Sequence, residues 1–266
     1  MARWALGLTL LAELAVLVGG CGPEFGPKAK NGITFYVPGV GNFDRGDAGI
    51  REGLERAGYR GQVARFNWSY SFNPALDQTV RPIARLGAAR LADAIQDYLT
   101  RYPGREVNLI GLSAGSGVAI FALERLKPNY KVNNVVLIAS SLHYRYDISQ
   151  ALPHIRGKIY CYYSPQDAVL TGPMKVFGTI DGVLFDDGAG TVGLQPPRGA
   201  DRVVNIRWRP EFERYGYYGG HIDGTSPAFV RHYIARHIVS PTGPAAPPET
   251  DATRQLAGDP RAALGD

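Results

Sequence analysis

The 266-residue chain has very little cysteine: Cys21 and Cys161 are its only two, and it has only two methionines. A disulfide-stapled scaffold or a zinc site of paired cysteines needs more cysteine than this. The zinc motif H-E-x-x-H is absent, and the pair Gly39 and Gly41 does not extend into G-x-G-x-x-G or G-x-x-x-x-G-K-[ST]. We therefore expect no metal centre and no cofactor. We also expect no disulfide, because Cys161 lies in an apolar run typical of a buried strand.

A concentrated basic surface is also missing. The chain has 29 Lys and Arg against 24 Asp and Glu, a formal net charge of +5, and the arginines are scattered along it. A protein that binds nucleic acid normally carries a basic stripe. We therefore expect no nucleic-acid partner. With 45% hydrophobic and 20% charged residues, the composition indicates a globular protein with a sizeable core.

A long apolar run occurs at the start of the chain. Arg3 supplies a positive charge, the stretch 4–18 is mostly apolar, and Gly19-Gly20-Cys21 follows. This arrangement resembles a bacterial secretory signal peptide ending in a lipobox, with Cys21 as the lipidated residue. The resemblance implies export to the cell envelope, as a membrane-anchored lipoprotein or as a secreted or periplasmic protein. An ordinary signal peptide and a retained N-terminal anchor are the alternatives.

The rest of the chain divides by composition. Residues 1–21 form the leader, and residues 22–30, rich in Pro, Gly and Lys, are predicted to be a tether. Residues 31–240 hold the periodic apolar segments and are predicted to form the folded domain. Residues 241–266 are rich in Pro and Ala without apolar periodicity, which predicts a disordered tail.

Short apolar runs alternate with helical patterns in the central part of the chain. The predicted strands are Ile33–Val37, Gln62–Trp68, a run from Val107 to Gly111, Val135–Ala139, Lys158–Tyr163 and Arg202–Trp208. The predicted helices carry Ile50, Leu54 and Ala57; Ile83, Leu86, Leu91, Ile95 and Leu99; residues 114–126; and the segment that begins at Ser226-Pro227. This alternation predicts an α/β fold with a mostly parallel central sheet and helices on both faces. Ligands of such sheets bind beyond the carboxyl ends of the strands.

The third predicted strand leads directly into the sequence Gly111-Leu112-Ser113-Ala114-Gly115, which matches G-x-S-x-G. In this motif a sharp turn between a strand and a helix presents a serine hydroxyl at the top of a sheet. Gly111 and Gly115 fit because side chains there would keep strand and helix apart. The start of the following helix also offers free N–H groups to a developing oxyanion. A plain glycine-serine turn is the alternative interpretation.

Three residues of complementary chemistry follow predicted strands in the order Ser113, Asp167, His221. A serine needs an adjacent base to become a nucleophile. Histidine suits that role because its pKa lies near neutrality. His143 is the rival base, since it also follows a strand, and Asp147 and Asp223 are the rival acids. Asp167 has the further alternative of a simple turn residue.

With this motif and this order, the chain resembles the α/β-hydrolases over roughly residues 31–239. The resemblance implies that Ser113 attacks an acyl carbonyl, that His221 moves the proton, and that Asp167 orients the imidazole. It also implies an oxyanion hole formed by the N–H groups of Ala114 and Val40. The sequence has Pro38 where a histidine is common in that loop, so the identity of the second donor stays open.

Two further segments near the predicted site have undecided roles. The aromatic side chains Tyr215, Tyr217 and Tyr218 precede His221 and are predicted to line the substrate cleft, with half-buried packing as the alternative. The glycine-rich stretch from Thr171 to Ala200 is either a lid at the substrate entrance or a long excursion.

The function predicted from these features is that of an exported serine hydrolase. It would cleave an ester or thioester, with a small molecule or a lipid as substrate and with no cofactor. Two alternatives stay open: an acyltransferase that uses the same three residues, and an envelope binding or scaffold protein of the same fold without catalysis. The sequence does not specify the oligomeric state.

Overall fold

The chain was analysed as a computed structural model, which describes residues 23–69, 77 and 81–239. Six strands form a single parallel sheet in the order β2-β1-β3-β4-β5-β6. The strands are β1 Ile33–Val37, β2 Gln62–Arg65, β3 Val107–Leu112, β4 Val135–Ile138, β5 Ile159–Tyr163 and β6 Val203–Arg207. The predicted strands are all present, several with slightly shorter ends. The parallel pairing places their carboxyl ends at one edge, the carboxyl edge.

Helices lie on both faces of the sheet, which confirms the predicted α/β architecture. They are α1 Gly46–Arg56, α2 Arg81–Arg101, α3 Ala114–Leu123, α4 Ala168–Thr171, α5 Pro173–Phe177, α6 Ala189–Val192 and α7 Pro227–Phe229. The last helix continues through a π turn, Val230–Ile234, and a 3-10 turn, Ala235–His237. One hydrophobic core packs α2 and α3 against the sheet, and a second packs α1 and α7 against its other face.

The buried face of α2 includes the predicted Leu91 and Ile95 but not the predicted Leu86. Leu86 was expected on the apolar face, but its side chain is 64% exposed. Small residues lie against the sheet instead, including Ala84, Gly87 and Ala88. A Cβ atom at Gly87 would lie 2.7 Å from the Trp68 carbonyl oxygen. Small residues that allow close backbone approach therefore position the helix together with Leu91 and Ile95, and a search for large apolar side chains does not detect them.

The segment predicted to be a free tether packs against the domain. Pro27–Asn31 forms a 3-10 helix with Ala29 buried. The Phe25 ring lies edge-on to Tyr98, with ring centroids 5.4 Å apart. The Gly26 N–H donates to Oε1 of Gln62, at the start of β2, over 2.9 Å. The chain is therefore held at the amino edge of the sheet, opposite the carboxyl edge. Cys21 and the tail 241–266 lie outside the described residues.

No helix in the described part of the chain is both long enough and apolar enough to span a membrane. Cys161 is free and buried within β5, as expected of a small core residue. Burial raises the pKa of its thiol to about 12. The thiolate, which is the reactive form, is therefore suppressed at neutral pH.

His237 packs against the sheet near the end of the described chain. Its ring stacks on Tyr160, with centroids 3.6 Å apart, and its Nε2 lies 2.9 Å from the Tyr162 hydroxyl. Burial, and secondarily the charge of Arg236, lower the pKa of His237 from 6.5 to about 4. The folded state therefore favours the neutral imidazole.

This depressed pKa predicts a loss of stability in mild acid. The unfolded chain takes up the His237 proton near pH 6.5, whereas the folded chain resists it until about pH 4. The stabilisation is therefore complete above pH 6.5 and disappears progressively as the pH falls towards 4. Thermal unfolding over this range should show a smaller decrease in melting temperature for His237→Gln than for the parent protein. Equal decreases would mean that other groups account for the acid sensitivity.

Candidate active site

Ser113 occupies a strained turn between β3 and α3. Its backbone has φ 52° and ψ −123°, in a region that non-glycine residues rarely adopt. The side chain is only 6% exposed. The Ser113 N–H donates to the Ile138 carbonyl over 2.9 Å, and its own carbonyl accepts from the N–H of Ser116 over 3.1 Å. These backbone bonds hold the strained conformation, so the hydroxyl has a defined position at the carboxyl edge.

The two glycines of the motif are required by contact. A Cβ at Gly111 would lie 2.5 Å from the Ser116 Cα. A Cβ at Gly115 would overlap the carbonyl oxygens of Val37 and Pro38. The start of α3 therefore lies directly against the carboxyl end of β1, as the motif predicts.

This close approach predicts that Gly115→Ala destabilises the fold by about 1–3 kcal/mol, because the backbone of Val37 and Pro38 must move to admit a methyl group. Urea unfolding would measure the change. Gly26→Ala is the matched control, since the nearest atom to its added Cβ is 3.8 Å away. Equal stability of the two variants would contradict the contact at Gly115.

Asp167 and His221 are brought together at the same edge. The Asp167 carboxylate is 1% exposed, and its Oδ2 lies 2.7 Å from Nδ1 of His221. Its Oδ1 accepts from the N–H groups of Val169 and Leu170 at the start of α4, at 3.0 and 3.1 Å. An ionised carboxylate only accepts hydrogen bonds, so Nδ1 carries the hydrogen in this pair. The other ring nitrogen of His221, Nε2, is then available as a base.

The loop that carries His221 is shaped by Asp223. The Asp223 Oδ2 accepts from the N–H groups of Tyr218 and Gly220, at 3.2 and 3.0 Å. Asp223, a rival acid in the sequence, therefore folds the histidine loop back on itself. Its carboxylate orients the turn, whereas that of Asp167 orients the ring.

The other rivals lie in separate contacts. Nε2 of His143 is 3.0 Å from Oδ2 of Asp186. The Asp147 carboxylate accepts from the Ser149 N–H and from Arg198. Within the described residues, Asp167 therefore pairs with His221 and not with its rival His143.

Ser113 and His221 are not joined directly. Among the described residues, no hydrogen bond involves the Ser113 Oγ, which leaves that oxygen free to meet another group. Catalytic hydrogen bonds are often long in enzymes without substrate and shorten when substrate binds. The structure thus shows the acid and base in contact and the hydroxyl unengaged at the same sheet edge.

The loop after β1 offers one free N–H beside the serine. Gly39 donates to Asp44 over 2.9 Å, and Gly41 donates to Asp77 over 2.7 Å. Between them, the Val40 N–H makes no hydrogen bond within the described residues, and the same holds for the Ala114 N–H. A Cβ at Gly39 would lie 3.4 Å from the Ser113 Cβ, so this loop runs against the serine.

The two carboxylates that hold this loop were not found from the sequence. Asp44 and Asp77 follow no strand and match no motif, and Asp77 is 36 positions away from Gly41. These two hydrogen bonds hold Gly39 and Gly41, so the Val40 N–H between them has a defined position. The arrangement depends on the tertiary structure and could not be read from the sequence. Within the described ranges, no three His, Cys, Asp or Glu side chains converge as metal ligands.

The predicted aromatic lining needs correction at Tyr217. Its side chain is 1% exposed and its ring stacks on Phe212 in the core, with centroids 6.0 Å apart. It therefore cannot touch a substrate. Tyr215 packs on Tyr233. Tyr218 is 65% exposed and remains a candidate. The three tyrosines looked equivalent in the sequence, but the turn before His221 buries Tyr217 and exposes Tyr218.

The stretch from Thr171 to Ala200 is bonded to the loop that follows β4. Backbone N–H groups of Ile180, Ala189 and Gly190 donate to carbonyls of residues 140–142, at 2.7–3.0 Å. A Cβ at Gly190 would overlap Ala139 and Ser140, at 2.5 Å from each. This part of the stretch is therefore a fixed layer over the carboxyl ends of β4 and β5.

The described fold is a parallel sheet whose carboxyl edge carries a strained serine and an Asp–His pair. A profile of the family described as alpha/beta hydrolase matches residues 12–174, more than half of the chain. The chain belongs to the alpha/beta hydrolase family. No curated protein sequence matches it.

Solved structures of similar outline include a dienelactone hydrolase from Anabaena variabilis, which is 21% identical, with 78% of this chain and 85% of that chain covered and a TM-score of 0.46. A serine hydrolase without a lid from Xanthomonas campestris is 15% identical, with 85% and 88% covered and a TM-score of 0.47. A carboxylesterase from Bacillus subtilis is 10% identical, with 82% and 86% covered and a TM-score of 0.42. Because none of these structures is more than 21% identical to this chain, its membership of the family is shown by the profile match and not by the structures.

Proposed function

We propose that the protein is a serine hydrolase that cleaves a carboxylic ester or thioester through Ser113, His221 and Asp167. The observation that carries the proposal is the 2.7 Å contact between Asp167 and His221, at the sheet edge that also presents Ser113. A buried carboxylate on Nδ1 fixes the imidazole tautomer in which Nε2 can accept a proton. If His221 had only a structural role, there would be no reason for a strained turn at the same sheet edge to leave the Ser113 hydroxyl without a hydrogen bond.

The proposed reaction has two halves. Ser113 Oγ attacks the acyl carbon while His221 Nε2 takes its proton, and the carbonyl oxygen becomes an oxyanion facing the N–H groups of Val40 and Ala114. The leaving alcohol or thiol departs with the proton from His221, which leaves an acyl-serine. Water then attacks the acyl-serine with His221 as base, and His221 gives that proton back to the Ser113 Oγ as the C–O bond breaks and the acid is released. Asp167 stabilises the imidazolium in both halves.

The same residues would support acyl transfer if an alcohol replaced water in the second half. We favour hydrolysis, because the His221 side chain is 17% exposed, so water can reach the base. A non-catalytic scaffold role is less favoured, because the Val40 and Ala114 donors, the strained serine and the Asp–His pair are all intact together.

The proposal predicts that a fluorophosphonate probe labels the protein and that Ser113→Ala abolishes labelling and ester hydrolysis. Asp167→Asn should lower kcat by about 10⁴-fold, because an amide does not enforce the imidazole tautomer. Assays with short aryl esters and thioesters would measure the loss.

Two matched variants test the assignment of the residues. His143 also contacts an aspartate, so His143→Ala should retain labelling while His221→Ala loses it. Ser149→Ala serves as the serine control. Labelling that survives Ser113→Ala, or that His143→Ala removes while His221→Ala does not, would reject the proposed triad.

We further propose that the protein is exported and acylated on Cys21. The leader and its Gly-Gly-Cys ending support this proposal. Because residues 25–31 pack at the amino edge of the sheet, an acyl anchor on Cys21 would attach on the side opposite Ser113. The active site would then face away from the anchoring membrane.

Expression with labelled palmitate tests the anchor. The full chain should incorporate label, and Cys21→Ser should not. Globomycin should cause the uncleaved precursor to accumulate. Absence of label in the full chain, with release of soluble protein, would leave plain secretion in place of lipidation.

A further inference from the structure

A cavity of about 130 Å³ lies at the amino edge of the sheet, and we call it the amino-edge cavity. Its walls come from the residues that lead into β3 and β4 and from the chain that follows α7. Asn108, in its wall, lies five positions before Ser113, which is roughly 16 Å along a strand. The amino-edge cavity is therefore separate from the candidate active site. Its polar and charged lining includes Glu106, Asn108, Asn134, Arg236 and His237.

Asn108 brings an unpaired hydrogen-bond donor to this cavity. Its neighbours Val107 and Leu109 belong to the core under α2 and α3, so the Asn108 side chain points to the other face of the sheet. It is 1% exposed, and its Oδ1 accepts from the Asn134 N–H over 3.0 Å, which identifies the other amide atom as nitrogen. Among the described residues, that nitrogen, Nδ2, has no hydrogen-bond partner. A buried donor of this kind needs an acceptor from outside the described chain.

The wall beside Asn108 is fixed by hydrogen bonds of Asn134. The Asn134 Nδ2 donates to the His237 carbonyl over 2.8 Å, and its Oδ1 accepts from the Lys158 N–H over 2.9 Å. A Cβ at Gly157 would lie 2.0 Å from that Oδ1, so the backbone before β5 is packed closely against it. The chain after α7 is thus tied to the starts of β4 and β5, and the cavity has defined walls.

His237 supplies an acceptor. The Tyr162 hydroxyl has one hydrogen, which it donates to the Tyr233 carbonyl over 3.0 Å. The His237 Nε2 lies 2.9 Å from the same hydroxyl and must therefore carry its own hydrogen and donate it. In the neutral ring, Nδ1 is then left with a lone pair. No hydrogen bond within the described residues involves this nitrogen.

Charges of both signs are present in the described lining. Arg236 is exposed and donates through Nη2 to the His232 carbonyl over 2.6 Å, which uses one of the five N–H groups of its guanidinium. Glu106 contributes a carboxylate, and Ile238 and Val239 add apolar surface. A ligand that matches this lining has a negative group, a positive group and a short apolar part.

We propose that the amino-edge cavity binds a small amino acid in its zwitterionic form. The carboxylate of the ligand accepts from Asn108 Nδ2 and pairs with Arg236, and its ammonium group donates to His237 Nδ1 on the side of Glu106. A neutral amide would match the donor and the acceptor but not the two charges, and a simple carboxylate would offer no donor to His237. A cavity of about 150 Å³ holds benzene, so one of about 130 Å³ admits alanine or serine but not tryptophan.

Isothermal titration calorimetry of the purified full chain with L-alanine tests the proposal. We expect saturable binding of one molecule per chain. Propionate lacks the ammonium group and ethylamine lacks the carboxylate, so each should bind about tenfold more weakly or worse, as expected for the loss of one charged hydrogen bond. L-tryptophan should not bind, because its side chain is too large for the cavity.

Two substitutions test the residues. Arg236→Gln should weaken L-alanine binding about tenfold, because glutamine carries no charge to pair with the carboxylate. Arg231→Gln is the matched control, since Arg231 is also exposed and lies five positions earlier but does not line the cavity. Asn108→Asp keeps the acceptor for the Asn134 N–H and replaces the Nδ2 donor by an oxygen, so it should abolish binding. The melting temperature of each variant without ligand shows whether it is folded, and Arg236→Gln decides the test if Asn108→Asp is not.

Three results would overturn the proposal. Absence of saturable L-alanine binding would mean that the cavity takes no amino acid. Propionate binding as tight as that of L-alanine would make it a site for carboxylates in general. Equal binding by the Arg236→Gln and Arg231→Gln variants would place the ligand elsewhere on the protein.

This binding goes beyond the proposed hydrolysis and does not depend on it, because the cavity and Ser113 lie at opposite edges of the sheet. Ser113→Ala should therefore bind L-alanine as tightly as the parent protein does, which would support the proposal. Loss of L-alanine binding in that variant would overturn the placement at the amino edge. Fluorophosphonate labelling tests the hydrolase proposal separately, so that either proposal can fail while the other stands.

Discussion

The site depends on one close approach, between the start of α3 and the carboxyl end of β1. Gly115 lets the α3 backbone reach the carbonyls of Val37 and Pro38, and the chain can turn that sharply only if Ser113 adopts a left-handed backbone. The loop after β1 runs against the serine here, because a Cβ at Gly39 would lie 3.4 Å from the Ser113 Cβ. Ser113 is thus positioned by backbone packing, which is rigid, whereas Val40 lies in a loop that the Asp44 and Asp77 carboxylates hold.

Four aspartates near this edge carry the same carboxylate group but have different hydrogen-bond partners and therefore different roles. Asp167 caps α4 with one oxygen and holds His221 with the other. Asp223 folds the histidine loop, while Asp44 and Asp77 occupy the neighbouring donors of the loop after β1. Each carboxylate satisfies buried or half-buried N–H groups that would otherwise be costly. The division leaves the N–H groups of Val40 and Ala114 without a hydrogen-bond partner among the residues that the structure describes.

The two edges of the sheet have different surroundings. At the amino edge, Phe25 and the turn that follows it seal the start of the domain against Tyr98. At the carboxyl edge lie Ser113 and the hydrogen-bonded pair Asp167 and His221. A parallel sheet makes this separation natural, because every strand begins at one edge and ends at the other.

Local sequence determined the parallel architecture, the serine turn and the order Ser113, Asp167, His221, because apolar periodicity and a glycine-spaced motif are properties of neighbouring residues. It did not determine that Leu86 faces solvent, that Tyr217 is buried, or that the segment before β1 is docked. Asp77, which holds the loop after β1 from a distant part of the chain, carried no signal at all. Such facts depend on which segments meet across long stretches of chain, and only the packed fold decides them.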